Sequence, residues 1–220
     1  MKKIIFLILL LSTVAFAQHK YEVGGAPAYS VRFEVEKCDT DYCYGDLKVW
    51  LTKKGQKTAF QEFKLETDFT FNDDAHMKMS VIPYDRQGVV DFGDYNFDGL
   101  DDLAIQNGRE GGYGGSSYNI YIFSPRTKKF TLDARFSALA TGPYSGMFTA
   151  NKKKRIIEVF SKSGCCWHEE REYKVVNGRP VKIYQMTQDA FSNEKWVIIT
   201  TRRLVAGKWK VTVKREKRDS

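Results

Sequence analysis

Apolar and polar residues alternate along most of this chain, and helical periodicity is almost absent. The segment "YSVRFEVEK" (29–37) places Val31, Phe33 and Val35 on one face, which is typical of a half-buried β-strand. Turn signals such as "KKGQ", "SPRTKK", "VNGRP" and "VAGK" separate the segments of this kind. The pattern predicts short β-strands and one short helix near "DARFSALAT". The further predicted strands are "DLKVWLTK", "TAFQEFKL", "SYNIYIF", "RIIEVF", "EYKVV", "VKIYQM" and "WVIITTRRLV".

Many short strands at this spacing are typical of an all-β sandwich, barrel or propeller-like array. The aromatic content of 14% fits such a protein, because aromatic side chains favour pleated, half-buried surfaces. We therefore expect an all-β fold, either an antiparallel β-sandwich or a short propeller-like array of β-hairpins.

The first residues, "MKKIIFLILLLSTVAFAQ", predict a secretory signal peptide. Two lysines precede an apolar run that is too short to span a bilayer, and the run ends in an A-x-A cleavage site. We expect a signal peptide over 1–17 and a single exported β domain over 18–220, in the periplasm or secreted. No later apolar run is long enough to cross a membrane, so the protein is not expected to be membrane-spanning.

The chain is basic, with a formal net charge of +8, and loss of Lys2 and Lys3 with the signal peptide leaves +6. The excess lies in "NKKKR" (151–155) and in the tail "TRRLVAGKWKVTVKREKRDS". Basic runs can bind nucleic acid or anionic surfaces. We favour solvated strand edges and turns that lysines protect from aggregation. No helix-turn-helix, zinc finger or RNA-binding signature is present, so no nucleic acid is expected.

The segment "DFGDYNFDGLDDLAI" (91–105) holds five aspartates and one asparagine in a single turn. Like charges this close require a cation, and alternate oxygens around a glycine suit a hard cation of calcium size. An EF-hand needs glutamate at position 12, which here is Ile105. The competing hypothesis is an Asx-rich turn without metal. The predicted Ca2+ ligands are Asp94, Asn96, Asp98, the backbone carbonyl of Leu100, and Asp102, with Gly99 closing the loop.

This acidic loop resembles the calcium loop of FG-GAP repeats, which bind calcium between β-strands. The motifs that follow it are "NGREGGYGGSSY", "YNIYIFSPRTKKF" and "FSKSGCCWHEEREYKVVNGRPVKIYQ". In this order they resemble a family of bacterial periplasmic proteins with an N-F-D-G-x-D-D-L core, a glycine-rich loop ending in S-Y-x-x-Y, and a closing E-x-x-Y-x-x-x-N-G hairpin. The resemblance covers 89–185, whereas the N-terminal strands of 18–82 carry no matching motif.

Members of that family act as immunity proteins that inhibit peptidoglycan hydrolases, and their fold is similar to that of periplasmic lysozyme inhibitors. The resemblance implies that the glycine-rich loop, Gly108 to Tyr118, enters the cleft of a hydrolase. We expect Tyr121 to anchor the sheet. Two alternatives exist for this loop: a flexible hairpin end without a partner, and a glycine-rich loop that binds phosphate. The predicted contacts with the partner are Tyr113, Ser116, Ser117 and Tyr118.

Four cysteines in an exported chain favour disulfides. Cys38 and Cys43 bracket "DTDY" at a predicted hairpin end, so we expect them to pair. Cys165 and Cys166 then form either a vicinal bridge or, together with the first pair, two links between the hairpins. They stand where the resembled family more often has small residues. Cys166 and His168 could in principle form a catalytic pair or bind a metal. We discount both roles because the sequence offers no second cluster of ligands.

The sequence gives catalysis little support, since it has no serine nucleophile elbow and no metalloprotease helix, so the protein is not expected to be an enzyme. We expect a calcium-binding inhibitor of a peptidoglycan hydrolase. The alternative is an FG-GAP-type, calcium-stabilised binding module of the cell envelope without inhibitory activity. A +6 inhibitor would be repelled by basic lysozymes, so the expected partner is a cell-wall hydrolase of neutral or acidic character.

Overall fold

The computed structural model describes residues 19–24, 28–39, 42–70, 81–83, 88–142 and 145–218. The predicted signal peptide lies outside them. The described residues are nearly all β and form three sheets, which confirms the predicted all-β fold and is consistent with a sandwich. No helix among them is long and apolar enough to cross a membrane.

The first sheet has five strands in the order β4-β3-β2-β1-β5. Its neighbours are antiparallel except that the short β5 runs parallel to β1. Val31, Phe33 and Val35 of β2 are buried, as their alternation predicts. The strands are β1 (His19–Gly24), β2 (Tyr29–Cys38), β3 (Tyr42–Lys53), β4 (Gln61–Thr70) and β5 (Val81–Pro83).

The second sheet has four antiparallel strands in sequence order. Its longer strands are buried on both faces, so this sheet forms the middle layer of the molecule. The strands are β6 (Val90–Gly93), β7 (Asp102–Gly108), β8 (Ser117–Ser124) and β9 (Lys129–Leu132).

The third sheet has six antiparallel strands, also in sequence order. A short helix, α1 (Ala134–Ser137), precedes it at the predicted place, with Asp133 as its N-cap and Phe136 buried. The strands are β10 (Thr149–Asn151), β11 (Ile156–Ser163), β12 (Trp167–Val176), β13 (Arg179–Asp189), β14 (Trp196–Val205) and β15 (Lys208–Lys217).

Two hydrophobic cores lie on opposite faces of the middle sheet. In the first core, Leu103, Ile105 and Tyr121 face the first sheet and pack with its buried side chains. In the second core, Ala104 and Tyr118 face the other way, toward α1 and the buried part of β11. Because alternate residues of a strand point to opposite faces, the middle sheet contributes to both cores.

The predicted strands are confirmed, and so are the turns between them. "VNGRP" and "VAGK" join β12 to β13 and β14 to β15 through pairs of residues with positive φ. Within the described residues, the structure adds seven strands to the eight predicted segments, namely β1, β5, β6, β7, β9, β10 and β15. Of these, β15 lies within the segment that the sequence presents as a basic tail.

Candidate functional site

The acidic loop connects β6 to β7 and closes on its own backbone. Asp94 accepts the N–H of Asp98 through Oδ1 and the N–H of Gly99 through Oδ2, both at 3.0 Å. Gly99 has a φ of +90°, a left-handed conformation that glycine adopts without strain. Asp94 thus holds the bend that the glycine permits.

The side chains of Asn96 and Asp98 make three further hydrogen bonds within the loop. The side-chain oxygen of Asn96 accepts the N–H of Asp98 at 2.9 Å, and its amide donates to Asp98 Oδ2 at 2.8 Å. Asp98 Oδ1 accepts the N–H of Leu100 at 2.9 Å. The oxygens of the predicted ligands therefore gather around one short stretch of backbone, as Asx turns do.

Asp102 has a different role, because it is fully buried at the start of β7. Its Oδ2 accepts the N–H groups of Tyr95 and Asn96 at 2.9 and 3.2 Å, and its Oδ1 accepts the N–H of Phe123 at 2.9 Å. Burial raises the pKa of the Asp102 carboxyl to about 7, against the lowering effect of these three N–H groups. Asp102 joins the acidic loop to β8.

The donor chemistry of the acidic loop fits calcium. An ionised carboxylate offers about four lone pairs, and the hydrogen bonds use two of these on Asp94 and two on Asp98. Within the described ranges, no three His, Cys, Asp or Glu side chains form a group that could hold a metal ion. A calcium ion would therefore also need Asn96 and the Leu100 carbonyl, and the full ligand set stays a prediction.

A cation of the protein itself reaches this loop. Arg155, the last residue of "NKKKR", donates from its guanidinium to the carbonyl oxygen of Phe97, and the guanidinium lies 5.8 Å from the centre of the Phe97 ring. Phe97 is buried and has a φ of 61°. The contact spans 58 positions of sequence, so no local motif could have revealed it.

The glycine-rich loop between β7 and β8 has a defined conformation, with a 3-10 turn over Gly112–Gly114. The N–H of Gly111 donates to the carbonyl oxygen of Gly115 at 2.8 Å, and Arg109 Nε donates to that of Gly114 at 3.1 Å. A Cβ atom on Gly111 would lie 2.5 Å from the Gly115 oxygen, so only glycine fits there. The loop is therefore closed by its own backbone, unlike a flexible hairpin end.

Tyr113 lies at the tip of this loop and is 69% exposed. Its hydroxyl oxygen accepts the N–H of Gly164 at 2.6 Å, and the Lys162 ammonium lies 5.3 Å from the centre of its ring. Its φ of 59° is unusual for a residue with a side chain. These contacts hold an exposed aromatic ring in one position, and its contact with a partner stays a prediction.

Two other predicted partner contacts are wrong. Tyr118 is only 2% exposed, and its hydroxyl donates to the Gly88 carbonyl oxygen at 3.2 Å within the second core. Ser117 is 1% exposed, and its Oγ accepts the N–H of Glu110 at 3.3 Å. Both lie in β8, whose two faces are covered, so neither side chain is available to a partner. The predicted anchor, Tyr121, is buried in the first core and is confirmed.

Ser116 is half-buried and accepts a hydrogen bond from Gln106 Nε2 at 3.0 Å through its Oγ. This bond fixes the end of the glycine-rich loop against β7. Of the four predicted contacts, Tyr113 alone is exposed, and Ser116 supports the loop through its hydrogen bond to Gln106 of β7.

Each of the two disulfides lies within its own hairpin, and neither links two hairpins. Cys38 pairs with Cys43 across β2 and β3, as predicted, with Cα atoms 4.0 Å apart. Cys165 and Cys166 form the vicinal bridge, which decides between the two alternatives. This bridge lies in the turn that begins at Gly164, the residue that bonds Tyr113. The turn therefore borders the glycine-rich loop.

We expect protein purified from an oxidising compartment to contain no free thiol, since both pairs are bonded. Alkylation under denaturing, thiol-blocking conditions followed by peptide mapping checks this. A peptide joining Cys38 or Cys43 to the 165–166 turn would contradict the pairing.

Comparison with known proteins gives a similar fold. No protein-family model matches the chain, and no curated protein matches it. A solved structure described as that of a Xanthomonas type IV secretion system related protein aligns with a TM-score of 0.63. The two chains share a fold. The alignment covers 88% of this chain and 92% of the other at 23% sequence identity, a level at which fold similarity does not establish a shared function.

Proposed function

We propose that this chain is an exported, calcium-binding protein of the cell envelope that inhibits a peptidoglycan hydrolase. The structural neighbour is described as related to a type IV secretion system, which supports a role in the envelope. Two disulfides support folding in an oxidising compartment. The protein would act without catalysis, by occupying the cleft of its target.

The observation that carries this proposal is the exposed, fixed side chain of Tyr113. The hydroxyl oxygen accepts the Gly164 N–H, so its own proton can be donated to a carboxylate of the target. Hydrolases that cleave glycan strands use a pair of carboxyl groups, which a phenolic hydroxyl can reach from a projecting loop. Tyrosine is also a frequent centre of protein interfaces.

The rigidity of the loop favours inhibition because an ordered loop loses little conformational entropy on binding. The Gly111–Gly115 hydrogen bond closes its base, and Gly112 donates its N–H to the Ser145 carbonyl oxygen. The Gly164 bond fixes the ring at the tip. The loop would therefore enter a cleft in the conformation it already has.

Calcium, if bound, would neutralise the carboxylates of the acidic loop and so stabilise its bend. Asp94, Asp98 and Asn96 would hold the ion, together with the Leu100 carbonyl and Asp102. The ion would have a structural role. The loop leads directly into β7, and β7 leads into the glycine-rich loop.

Chelation of calcium is expected to lower the melting temperature by about 5 °C or more, because a ligand that binds only the folded state stabilises it. Asp98→Ala should abolish this difference. Asp101→Ala is the matched control, since Asp101 is exposed and is not a predicted ligand. Thermal unfolding with and without chelator provides the measurement. Equal melting temperatures for the wild type in both conditions would refute calcium binding.

The inhibitory function is tested by the clearing of purified cell walls, with a panel of glycosidases and amidases that includes the organism's own envelope hydrolases. We expect the wild type to slow at least one of them. Tyr113→Ala should weaken that inhibition about tenfold or more, because a central interface tyrosine contributes about 2 kcal/mol. Leu132→Ala, which removes an apolar side chain that is 51% exposed on β9, should leave inhibition unchanged.

If no hydrolase is slowed, the inhibitor proposal fails, and the binding module without inhibitory activity becomes the better account. If Leu132→Ala and Tyr113→Ala weaken inhibition equally, an inhibitor remains but the glycine-rich loop is not its contact surface.

A further inference from the structure

Among the residues that the structure describes, strand β15 pairs only with β14 and forms one edge of the third sheet. Every side chain of its ten residues is exposed, on both faces of the sheet. A long, exposed edge strand offers unpaired backbone N–H and C=O groups to any other extended chain.

One face of β15 carries an apolar stripe. Trp209, Val211 and Val213 alternate along the strand and are 43%, 55% and 61% exposed. Alternate residues of a strand share a face, so the three side chains lie in one row. Contiguous exposed apolar surface of this kind is typical of an interaction site.

The other face of β15 is basic, with Lys208, Lys210 and Lys214 in the alternate positions. The hairpin of β14 and β15 with Arg218 (196–218) contains eight lysines and arginines and a single glutamate, Glu216. A surface with this charge attracts an acidic partner and repels another copy of itself.

The register of the hairpin places the free backbone groups at the apolar stripe. Val205 and Lys208 flank a two-residue turn, so they form the first hydrogen-bonded pair of the hairpin. Along an antiparallel ladder, hydrogen-bonded pairs alternate with pairs that are not hydrogen-bonded to each other. Lys208, Lys210, Thr212 and Lys214 therefore direct their N–H and C=O groups toward β14. The backbone groups of Trp209, Val211 and Val213 point away from β14.

We propose that the edge of β15 binds an extended, acidic segment of a partner protein, which adds to the third sheet as a seventh strand. Residues directly opposite each other in paired strands share a face. A complementary segment thus alternates apolar residues, opposite Trp209, Val211 and Val213, with acidic residues opposite the lysines. A second copy of β15 is a poor occupant because lysines would face lysines. The proposal uses no residue of the acidic loop or of the glycine-rich loop, so it stands independently of the proposed function.

The probe is a labelled ten-residue peptide that alternates glutamate with valine, matched in length to β15. We expect saturable binding to the full mature protein, followed by fluorescence anisotropy. Val213→Pro removes an outward N–H without loss of a bond to β14, and proline is tolerated at such edge positions. This change should weaken binding about tenfold or more, whereas Val213→Thr, which keeps the N–H, should retain most of it.

Charge reversal gives the second test. Lys210→Glu with Lys214→Glu should weaken binding of the glutamate peptide about tenfold or more and create binding of the matching lysine peptide. Lys152→Glu with Lys153→Glu makes the same charge change in the exposed turn before β11 and should alter neither affinity. Circular dichroism confirms that each variant is folded.

Three outcomes would overturn the proposal: absence of saturable binding, equal affinity of Val213→Pro and Val213→Thr, or equal effects of the two lysine pairs. Binding of heparin, RNA or phosphatidylglycerol vesicles that is as tight as that of the peptide and insensitive to Val213→Pro would also overturn it. That result would assign the hairpin to polyanions in general.

Discussion

Replacing Tyr118 with alanine is expected to lower the free energy of unfolding by about 3–5 kcal/mol, the usual cost of deleting a buried aromatic side chain. Tyr118 has one of the largest fully buried side chains, and from β8 it packs with buried residues of α1 and β11. Burial also raises the pKa of its hydroxyl to about 12, as expected for a group shielded from water. Urea denaturation monitored by circular dichroism provides the measurement.

Two control variants distinguish the contribution of the buried Tyr118 ring from that of its hydroxyl and from the effect of deleting an exposed tyrosine. Tyr118→Phe removes the hydroxyl with its hydrogen bonds, among them the one to Gly88, but keeps the packing of the ring, and it should cost about 0.5–1.5 kcal/mol. Tyr113→Ala acts on an exposed side chain and should cost about 1 kcal/mol or less, mainly through the bond to Gly164. Equal losses for Tyr118→Ala and Tyr113→Ala would show that Tyr118 is not in the core.

Asp102→Ala is expected to cost about 3 kcal/mol, because three backbone N–H groups lose the acceptor that satisfies them. The loss should persist in a calcium chelator, since it arises from hydrogen bonds within the protein. The Asp102 carboxyl is buried, which raises its pKa to about 7, so its removal also recovers part of its desolvation cost. The expected loss in the free energy of unfolding is therefore smaller than the sum of three lost hydrogen bonds.

Asp101→Ala is the neighbouring control for this prediction. Asp101 is exposed, so its loss should change the free energy of unfolding by about 0.5 kcal/mol or less. Asp102→Asn should be intermediate, because the amide keeps one carbonyl oxygen but directs an NH2 group toward donors. Equal stability of Asp102→Ala and Asp101→Ala would contradict the role of Asp102 in joining the acidic loop to β8.

Local features of the fold follow from the sequence because their causes are local. The alternation in 29–37 places Val31, Phe33 and Val35 in a core, and all three are buried. Asn177 and Gly178 adopt the positive φ that their turn requires. The same holds for the acidic loop, where each hydrogen bond from Asp94 to Leu100 spans at most five residues.

The layer order could not be predicted, because it depends on contacts between distant segments. Alternation correctly places Tyr118 and Tyr121 on opposite faces of β8, but it does not tell whether one face or both are covered. The continuous apolar run "LAI" (103–105) in β7 was the available signal, since strands buried on both faces lose their alternation. The alternation of β8 alone does not show that Tyr118 and Ser117 are buried.

The neighbours of the candidate site are likewise non-local. Arg155 contacts Phe97 across 58 positions of sequence, and Gly164 contacts Tyr113 across 51 positions. The basic run "NKKKR" and the pair Cys165–Cys166 are both evident in the sequence. Tertiary packing brings the basic run to the acidic loop and the cysteine pair to the glycine-rich loop. Their charge and chemistry alone indicated no such place.

The most direct measurement of the central claim is the mode of inhibition of the hydrolase that the protein slows. Initial rates are measured on soluble peptidoglycan fragments over a range of substrate concentrations, at several fixed concentrations of the mature protein. A loop that occupies the active-site cleft competes with substrate, so the apparent KM should rise in proportion to inhibitor while kcat stays constant. A fall in kcat at constant KM would contradict insertion of the Tyr113 loop into the cleft.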